Sequence, residues 1–179
     1  MATPQDDLRT TMQATLKGFL EDYRLSVQKQ DASYLSAKLT ADCTRHLAPA
    51  SFPAAFTFIK PSETNGEYEA RMQGEVALMQ EVNHKILSLV VDPVERKGTA
   101  HAEHWTKFRD AAAAAAAGGD GAGEEMTLEI CWIVDFAADG TAISRITEFI
   151  DTAAAAKMVQ AIVKKSQEGG VEVPFRLDG

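Results

Sequence analysis

Apolar residues recur at helical spacing near the start of the chain and at strand-like alternation in its second half. A long first helix is predicted by the spacing of Leu8, Met12, Leu16, Leu20 and Tyr23. Asp31 is a candidate N-cap for a short second helix over Ala32–Leu39, and a short extended segment follows over Cys43–Leu47. The first part of the chain is therefore expected to be mainly helical.

A loop and a third helix are predicted next. The segment Pro49–Pro61 holds three prolines and three phenylalanines without periodicity, which is typical of an ordered loop with docked aromatic side chains. Thr64 or Asn65 opens the third helix. Its apolar face is predicted to carry Tyr68, Met72, Val76 and Met79, and its other face Glu67, Arg71 and Glu75.

The pattern then changes to that of strands. Residues 85–92 and 97–108 alternate or run apolar around a turn at 93–96, and residues 128–136 and 143–151 do the same around a turn at 137–140. Between these pairs, residues 111–125 form a run of alanines and glycines, for which we expect a surface loop without function. A helix over 152–165 and a polar tail over 166–179 complete the chain.

Helices followed by antiparallel strands and a closing helix define an α+β domain. We expect one domain over residues 1–179, in which an antiparallel sheet packs against the N-terminal helices and, if strongly curved, encloses a cavity between sheet and helices. The C-terminal helix closes the domain. The length of the chain and its 45% content of hydrophobic residues suit a single core of this kind.

Charge and cysteine usage exclude several classes of protein. The net charge of −8 and the pI near 5.0, without a long basic run, argue against a nucleic-acid partner. Cys43 and Cys131 have no zinc-binding spacing, so we expect two small hydrophobic residues and a reducing compartment. Residues 1–7 lack the basic and apolar regions of a secretion signal, and no segment suits a membrane span. A soluble, cytoplasmic protein without a membrane partner is expected.

One carboxylate, Glu148, stands inside an otherwise apolar strand. A three-residue hairpin loop with glycine in the left-handed position would place Ile130 opposite Glu148 and Phe136 opposite Ala142. The face of Glu148 is then the more apolar one, which we take as the concave wall, and it carries Leu128, Ile130, Trp132, Val134, Ile146 and Ile150. A shift of one residue would instead bring Glu129 and Asp135 to that wall.

A carboxylate in such a wall needs a partner or takes up a proton, because an unpaired ionised group is costly to bury. Glu148 is therefore either paired, with Arg145, Lys107 or Arg71 as candidates, or it is kept for proton transfer. The two alternatives lead to different functions.

The histidines are weighed in the same way. His104 is a candidate proton relay for Glu148, or else a half-buried histidine satisfied by the backbone. His101 and His104 lie three positions apart on a strand and so point to opposite faces, which argues against a metal site. His46 is expected to fasten a loop rather than to react.

Three strings of residues resemble the SnoaL-like branch of the nuclear-transport-factor-two-like cone fold and are similar to its fungal members. They are Asp42–Ser51 after the second helix, His101-Ala102 in a middle strand, and Phe136–Ile143 with Glu148–Asp151 at the end. Together with the matching order of elements they cover most of the chain. The alanine and glycine insertion departs from the pattern, as do His104 and Trp105, where relatives usually carry small residues.

The resemblance implies an enzyme that needs no cofactor. Members of the family include cofactor-independent polyketide cyclases, isomerases and dehydratases, epoxide hydrolases, and fungal enzymes that rearrange polyketide or terpenoid skeletons. Other members are binding or assembly modules. In similar epoxide hydrolases the catalytic acid occupies the position of Glu148. Where those enzymes carry an Arg and a second Asp, however, this chain has His104 and Thr106. Epoxide opening is therefore not expected, whereas acid/base chemistry by a glutamate remains open.

We expect a cofactor-independent isomerase, cyclase or dehydratase that acts on a bulky apolar polyketide or terpenoid intermediate, with Glu148 and His104 as catalytic residues. The residues predicted to bind the substrate are Trp132, Tyr68, Met72, His46 and Phe56. The alternative is a non-catalytic homodimeric domain that binds a small molecule or serves assembly. The dimer contact is assigned to the mixed outer face, which carries Glu129, Cys131, Ile133, Asp135, Arg145, Thr147 and Phe149.

Overall fold

Six strands form one curved sheet, and helices cover its inner face, in this computed structural model of the protein. The structure describes residues 3–56, 59–109, 123–171 and 173. The helices are α1 (Pro4–Lys29), α2 (Ser51–Ala54), α3 (Asn65–Leu78) and α4 (Thr152–Gly169), with a short 3₁₀ helix over Ala32–Ser36. The strands are β1 (Leu39–Ala48), β2 (Ser62–Thr64), β3 (Met79–Asp92), β4 (Lys97–Phe108), β5 (Glu125–Phe136) and β6 (Ile143–Ile150).

Side-chain caps fix where the helices begin. Thr3 opens α1 and Thr64 opens α3, each in a capping box with the acid three residues later. Asp31 accepts a hydrogen bond at the start of the 3₁₀ helix, and Asp151 caps α4 through the backbone of Ala153 and Ala154. The predicted starts at Asp31 and Thr64 are thereby confirmed.

The strand order is β2-β1-β6-β5-β4-β3, and β3 to β6 form an antiparallel meander. The predicted α+β class, with a curved sheet against N-terminal helices and a closing C-terminal helix, is confirmed. One pairing differs from the prediction: β1 runs parallel to β6, so the sheet is mixed. The long chain path between these two strands, through α3 and the meander, makes a parallel pairing possible.

The hairpin between β5 and β6 keeps the predicted faces but not the predicted pairs. Trp132 lies opposite Glu148, two positions from the expected pairing of Ile130 with Glu148. The backbone N–H of Ala137 donates to the carbonyl of Ala142, so the loop contains four residues rather than the expected three. Gly140 lies in this loop with a φ of 74°. Side chains alternate between the two faces of a strand, so a pairing error of two residues leaves Glu148 on the inner wall. The alternative register, which would bring Glu129 and Asp135 to that wall, is wrong.

The core lies between the inner face of the sheet and helices α1, α3 and α4. On β4, every second residue from Gly98 to Phe108 is buried, and His101 and His104 point to opposite faces as predicted. The outer face of β5 and β6 exposes Ile133 and Phe149, at 45% and 51%. A homodimer through this face remains a prediction.

Several predicted boundaries are wrong. Helix α4 continues to Gly169, and Val171 and Val173 pack against the core, so the segment after residue 165 is not simply a polar tail. Strand β5 already begins at Glu125, inside the predicted insertion, of which residues 111–122 lie outside the described residues. Helix α3 turns Glu75 inward rather than to its other face. The predicted single domain over 1–179 remains a prediction.

Among the described helices, none has both the length and the apolar composition that a membrane span requires.

Candidate active site

A cavity of about 130 Å³ lies between the inner face of the sheet and helices α3 and α4. Its wall is mainly apolar, with side chains such as Met72, Met79, Ile130, Ile150, Met158 and Ile162. Polar side chains gather in its lining as well; they are Tyr23, Tyr68, Arg71, Glu75, His104 and Glu148. An apolar cavity with a few convergent polar groups is the usual form of a small-molecule site.

Glu148 is held through one of its two carboxylate oxygens. The Oε1 atom forms an ion pair with Nη1 of Arg45 and accepts hydrogen bonds from Tyr23 Oη and Trp132 Nε1, both at 3.0 Å. A guanidinium, a phenol and an indole thus all donate to this one oxygen. Among the described residues nothing donates to Oε2, which leaves this oxygen for a bound molecule.

Two tyrosines and Arg45 form the support behind Glu148. Arg45 Nη1 donates to Tyr23 Oη at 2.7 Å, and its guanidinium carbon lies 3.6 Å from the centre of the Tyr68 ring. The two phenol oxygens are 3.1 Å apart. Since the proton of Tyr23 goes to Glu148, Tyr68 is the donor in that contact. Burial raises the pKa of Tyr68 to about 12 and that of Tyr23 well above 10, so both phenols keep their protons.

A second carboxyl group, Glu75 of α3, lines the same cavity. Its Oε1 accepts from Arg71 Nη1 at 2.9 Å, while Arg71 also holds both oxygens of Glu63, at 2.9 and 2.8 Å. Burial raises the pKa of Glu75, and repulsion by Glu63 and Glu148 acts in the same direction, against the attraction of Arg71. Glu75 and Glu148 thus face one cavity in different electrostatic surroundings.

His104 is engaged at both ring nitrogens. Its Nδ1 lies 2.8 Å from Nε2 of His84, and its Nε2 lies 2.9 Å from the hydroxyl of Thr106. Burial lowers the pKa of His84 to about 3 and that of His104 to about 4, so both rings are neutral near pH 7. His84 also bonds the backbone of Leu20, as a donor, so its Nε2 accepts from His104 and His104 Nε2 accepts from Thr106.

The structure brings together four of the predicted site residues: Glu148, His104, Tyr68 and Met72 line the cavity. Among the described residues, the hydrogen-bond donors to Glu148 do not include His104, and none of the cations considered from the sequence, Arg145, Lys107 or Arg71, pairs with it. Trp132 is fully buried behind Glu148 and donates to it rather than bordering the cavity.

His46 and Phe56 lie outside the lining of this cavity. His46 lies on β1 with its Nε2 3.0 Å from the hydroxyl of Thr44 in the same strand, and the expected loop-fastening role remains a prediction. Phe56 packs with Phe52, their ring centres 5.2 Å apart, and it is Phe52 that reaches the cavity. Phe58, the third aromatic residue of the predicted loop, lies outside the described residues.

Four residues of the candidate site were not predicted from the sequence: Tyr23, Arg45, Glu75 and His84. Two of them left a signal in the sequence. Arg45 alternates with the apolar Cys43 and Leu47 along β1, which places its side chain on the inner face. Glu75 follows Tyr68 by seven positions and Met72 by three, so it continues the apolar stripe of α3.

No protein-family model matches the chain, and no curated protein sequence matches it significantly. Solved structures do match. The BvnE pinacolase from Penicillium brevicompactum is 18% identical, with a TM-score of 0.68 over 89% of this chain and 94% of that one. PrhC from Penicillium brasilianum NBRC 6234 is 17% identical, with a TM-score of 0.64 over 90% and 93%.

An NTF2-like protein from Exiguobacterium sp. 255-15 is 14% identical, with a TM-score of 0.52 over 76% of this chain and 98% of that one. At such identities the likeness shows a shared fold. The resemblance to the nuclear-transport-factor-two-like cone is therefore confirmed at the level of the fold, and the activity has to be argued from the residues of the cavity.

Proposed function

We propose that the protein is a cofactor-independent acid/base enzyme that isomerises, cyclises or dehydrates an apolar small molecule. The observation that carries this proposal is the pair of glutamates that face one apolar cavity, Glu148 with a free carboxylate oxygen and Glu75 with a raised pKa. Two carboxyl groups in different electrostatic surroundings are the usual basis for assigning a base and an acid.

In the proposed reaction, Oε2 of Glu148 removes a proton from a carbon next to a carbonyl group of the substrate. The carboxylic acid of Glu75 donates its proton to the carbonyl oxygen, so that a neutral enol forms. The enol then returns its hydroxyl proton to Glu75 and takes the proton held by Glu148 at the same or a conjugated carbon. The balance of protons is zero, and both side chains return to their starting state.

Glu75 takes the role that the sequence favoured for His104. Both ring nitrogens of His104 are engaged, with His84 and Thr106, so neither is open to a substrate without a rearrangement. We assign His104 a positioning role: its ring forms part of the cavity wall and packs against Tyr23, the centres 6.0 Å apart. Tyr23 in turn orients Glu148.

The apolar wall and the structural neighbours support the proposed substrate class. BvnE, which has the same fold, is named a pinacolase. A cavity of about 130 Å³ is of the size that holds a benzene-like ring. A bulky polyketide or terpenoid intermediate would therefore place only its reacting end inside the cavity.

Proton exchange of a model ketone tests the proposal without knowledge of the natural substrate. We expect the protein to accelerate deuterium uptake at the α-carbons of cyclohexanone in D₂O, followed by NMR. The Glu148→Gln variant should lose about 100-fold of this rate or more, because the base is removed. The matched control is Glu129→Gln on the outer face of β5, which should keep the rate. Equal rates in Glu148→Gln and Glu129→Gln would exclude Glu148 as the base.

A non-catalytic binding domain is the second candidate. It is favoured by the three donors on Glu148, because such a network also serves to order a buried polar residue. In that case the protein would bind cyclohexanone without accelerating deuterium uptake, and Glu148→Gln would bind it as well as the parent.

A further inference from the structure

The charges around the polar part of the cavity cancel one another. Arg45 is paired with Glu148, and Arg71 with both Glu63 and Glu75. Arg71 holds both oxygens of Glu63 but only one of Glu75, so the buried Glu75 has no counter-ion of its own and is assigned a proton. Two guanidinium groups then balance two carboxylates. A charged ligand of either sign would therefore enter without a counter-ion of its own, and its lost hydration would not be compensated.

One donor of this network is left over. Nη2 of Arg45 is buried and has no hydrogen-bond partner among the described residues. Arg45 does not border the cavity, however, since its guanidinium stacks on the ring of Tyr68, and it is Tyr68 that lines the wall. This donor therefore does not supply a free cationic site for an anion in the cavity.

The other donors at the cavity are already committed. Tyr23 gives its proton to Glu148, and Tyr68 gives its own to Tyr23. His104 directs its one N–H at His84. Only one oxygen of Glu75, Oε1, is held by Arg71, so its other oxygen is assigned the acid proton that a ligand can accept, and Oε2 of Glu148 remains as the acceptor. The described part of the site thus offers one neutral donor and one carboxylate oxygen already balanced by Arg45.

We infer that the cavity selects uncharged, enolisable ketones and rejects carboxylates and amines of the same shape. The carbonyl oxygen accepts from Glu75, and a hydrogen on the neighbouring carbon faces Oε2 of Glu148. The inference rests on the proposed function for the choice of site, but it concerns binding rather than turnover.

Three compounds with the same six-carbon ring test this selectivity: cyclohexanone, cyclohexanecarboxylate and cyclohexylammonium. The indole N–H of Trp132 reports on the site in NMR titrations because it bonds Glu148. The indole of Trp105, bonded to Glu125 near the surface, serves as the internal reference. We expect cyclohexanone to shift the Trp132 signal and the two ions to bind at least about tenfold more weakly. Equal or tighter binding of either ion, or no binding of cyclohexanone, would overturn the inference.

The donor is tested by Glu75→Leu. Loss of one hydrogen bond should weaken cyclohexanone binding about five- to tenfold. The control is Glu69→Leu on the same helix, which lies outside the cavity lining and should leave the affinity unchanged. Unchanged affinity in Glu75→Leu would refute the role of Glu75. A protein that shows the expected selectivity without exchanging the α-protons would contradict the proposed function and leave this inference standing.

Discussion

Arg45 of β1 and Glu148 of β6 form a buried ion pair between the two parallel strands of the sheet. Their side chains are 4% and 8% exposed. The pair fixes Oε1 of Glu148. The hydroxyl of Tyr23 accepts a hydrogen bond from Nη1 of Arg45 and donates one to the same Oε1. One side of the carboxylate is thus oriented by the protein and the other is left to the cavity.

Removal of one member of this pair should lower the free energy of unfolding more than removal of both. Arg45→Met leaves a buried carboxylate without its cation, and we expect a loss of about 3–5 kcal/mol in the free energy of unfolding at pH 8. The double variant Arg45→Met with Glu148→Leu should recover part of that loss. Urea unfolding measures both. Lys60→Met, which breaks the exposed pair with Glu67, is the control and should cost less than about 1 kcal/mol. A double variant less stable than Arg45→Met would contradict this account.

The element order and the inner face of the hairpin could be predicted from the sequence because they depend on periodicity. Glu148 is on the concave wall although the predicted register was wrong, since a shift by two residues preserves the faces. The length of the loop around Gly140 could not be predicted in the same way. It depends on contacts with α1, including the hydrogen bond from Thr15 Oγ1 to the carbonyl of Gly140 at 2.8 Å.

The partners of Glu148 depend on contacts between distant parts of the chain. Arg45 precedes Glu148 by 103 positions and reaches it because β1 lies parallel to β6, a pairing that local patterns do not encode. Sequence reasoning considered cations on α3, β4 and β6 instead. The partner of His104 is likewise set by the pairing of β3 with β4, which places His84 directly opposite His104.

Gly140 should not tolerate a side chain. Its φ is 74°, and an added Cβ would come within 2.8 Å of Met12 Cγ and 2.9 Å of Leu8 Cδ1. We expect Gly140→Ala to lower the free energy of unfolding by about 1–3 kcal/mol, measured in urea. Gly66→Ala in the first turn of α3 is the control, because nothing lies within 4 Å of the added atom. Equal stability of the two variants would show that the contact with α1 is unimportant.

The partly buried His84 and the buried His104 should both carry their proton on Nδ1. This tautomer follows from the chain of hydrogen bonds that runs from Thr106 through His104 and His84 to the backbone of Leu20. Long-range ¹H–¹⁵N NMR spectra at pH 6 distinguish the two ring nitrogens. Because the pKa values are lowered to about 4 and about 3 by burial, neither ring should titrate above pH 5. A proton on Nε2 of either ring, or a midpoint near 6.5, would contradict the assignment.

Asp22 of α1 should reduce stability at neutral and alkaline pH. Burial raises its pKa from 3.8 to about 6 despite the nearby Lys38, and its Oδ2 has no partner among the described residues. The folded state therefore binds the proton more tightly than the unfolded state, and stability is lost as the pH rises from about 4 to above 6. Asp22→Asn should be about 2–3 kcal/mol more stable than the parent at pH 8 and nearly equal at pH 4, by urea unfolding. The exposed Asp7→Asn is the control; a gain for Asp22→Asn that does not change with pH would refute the assignment.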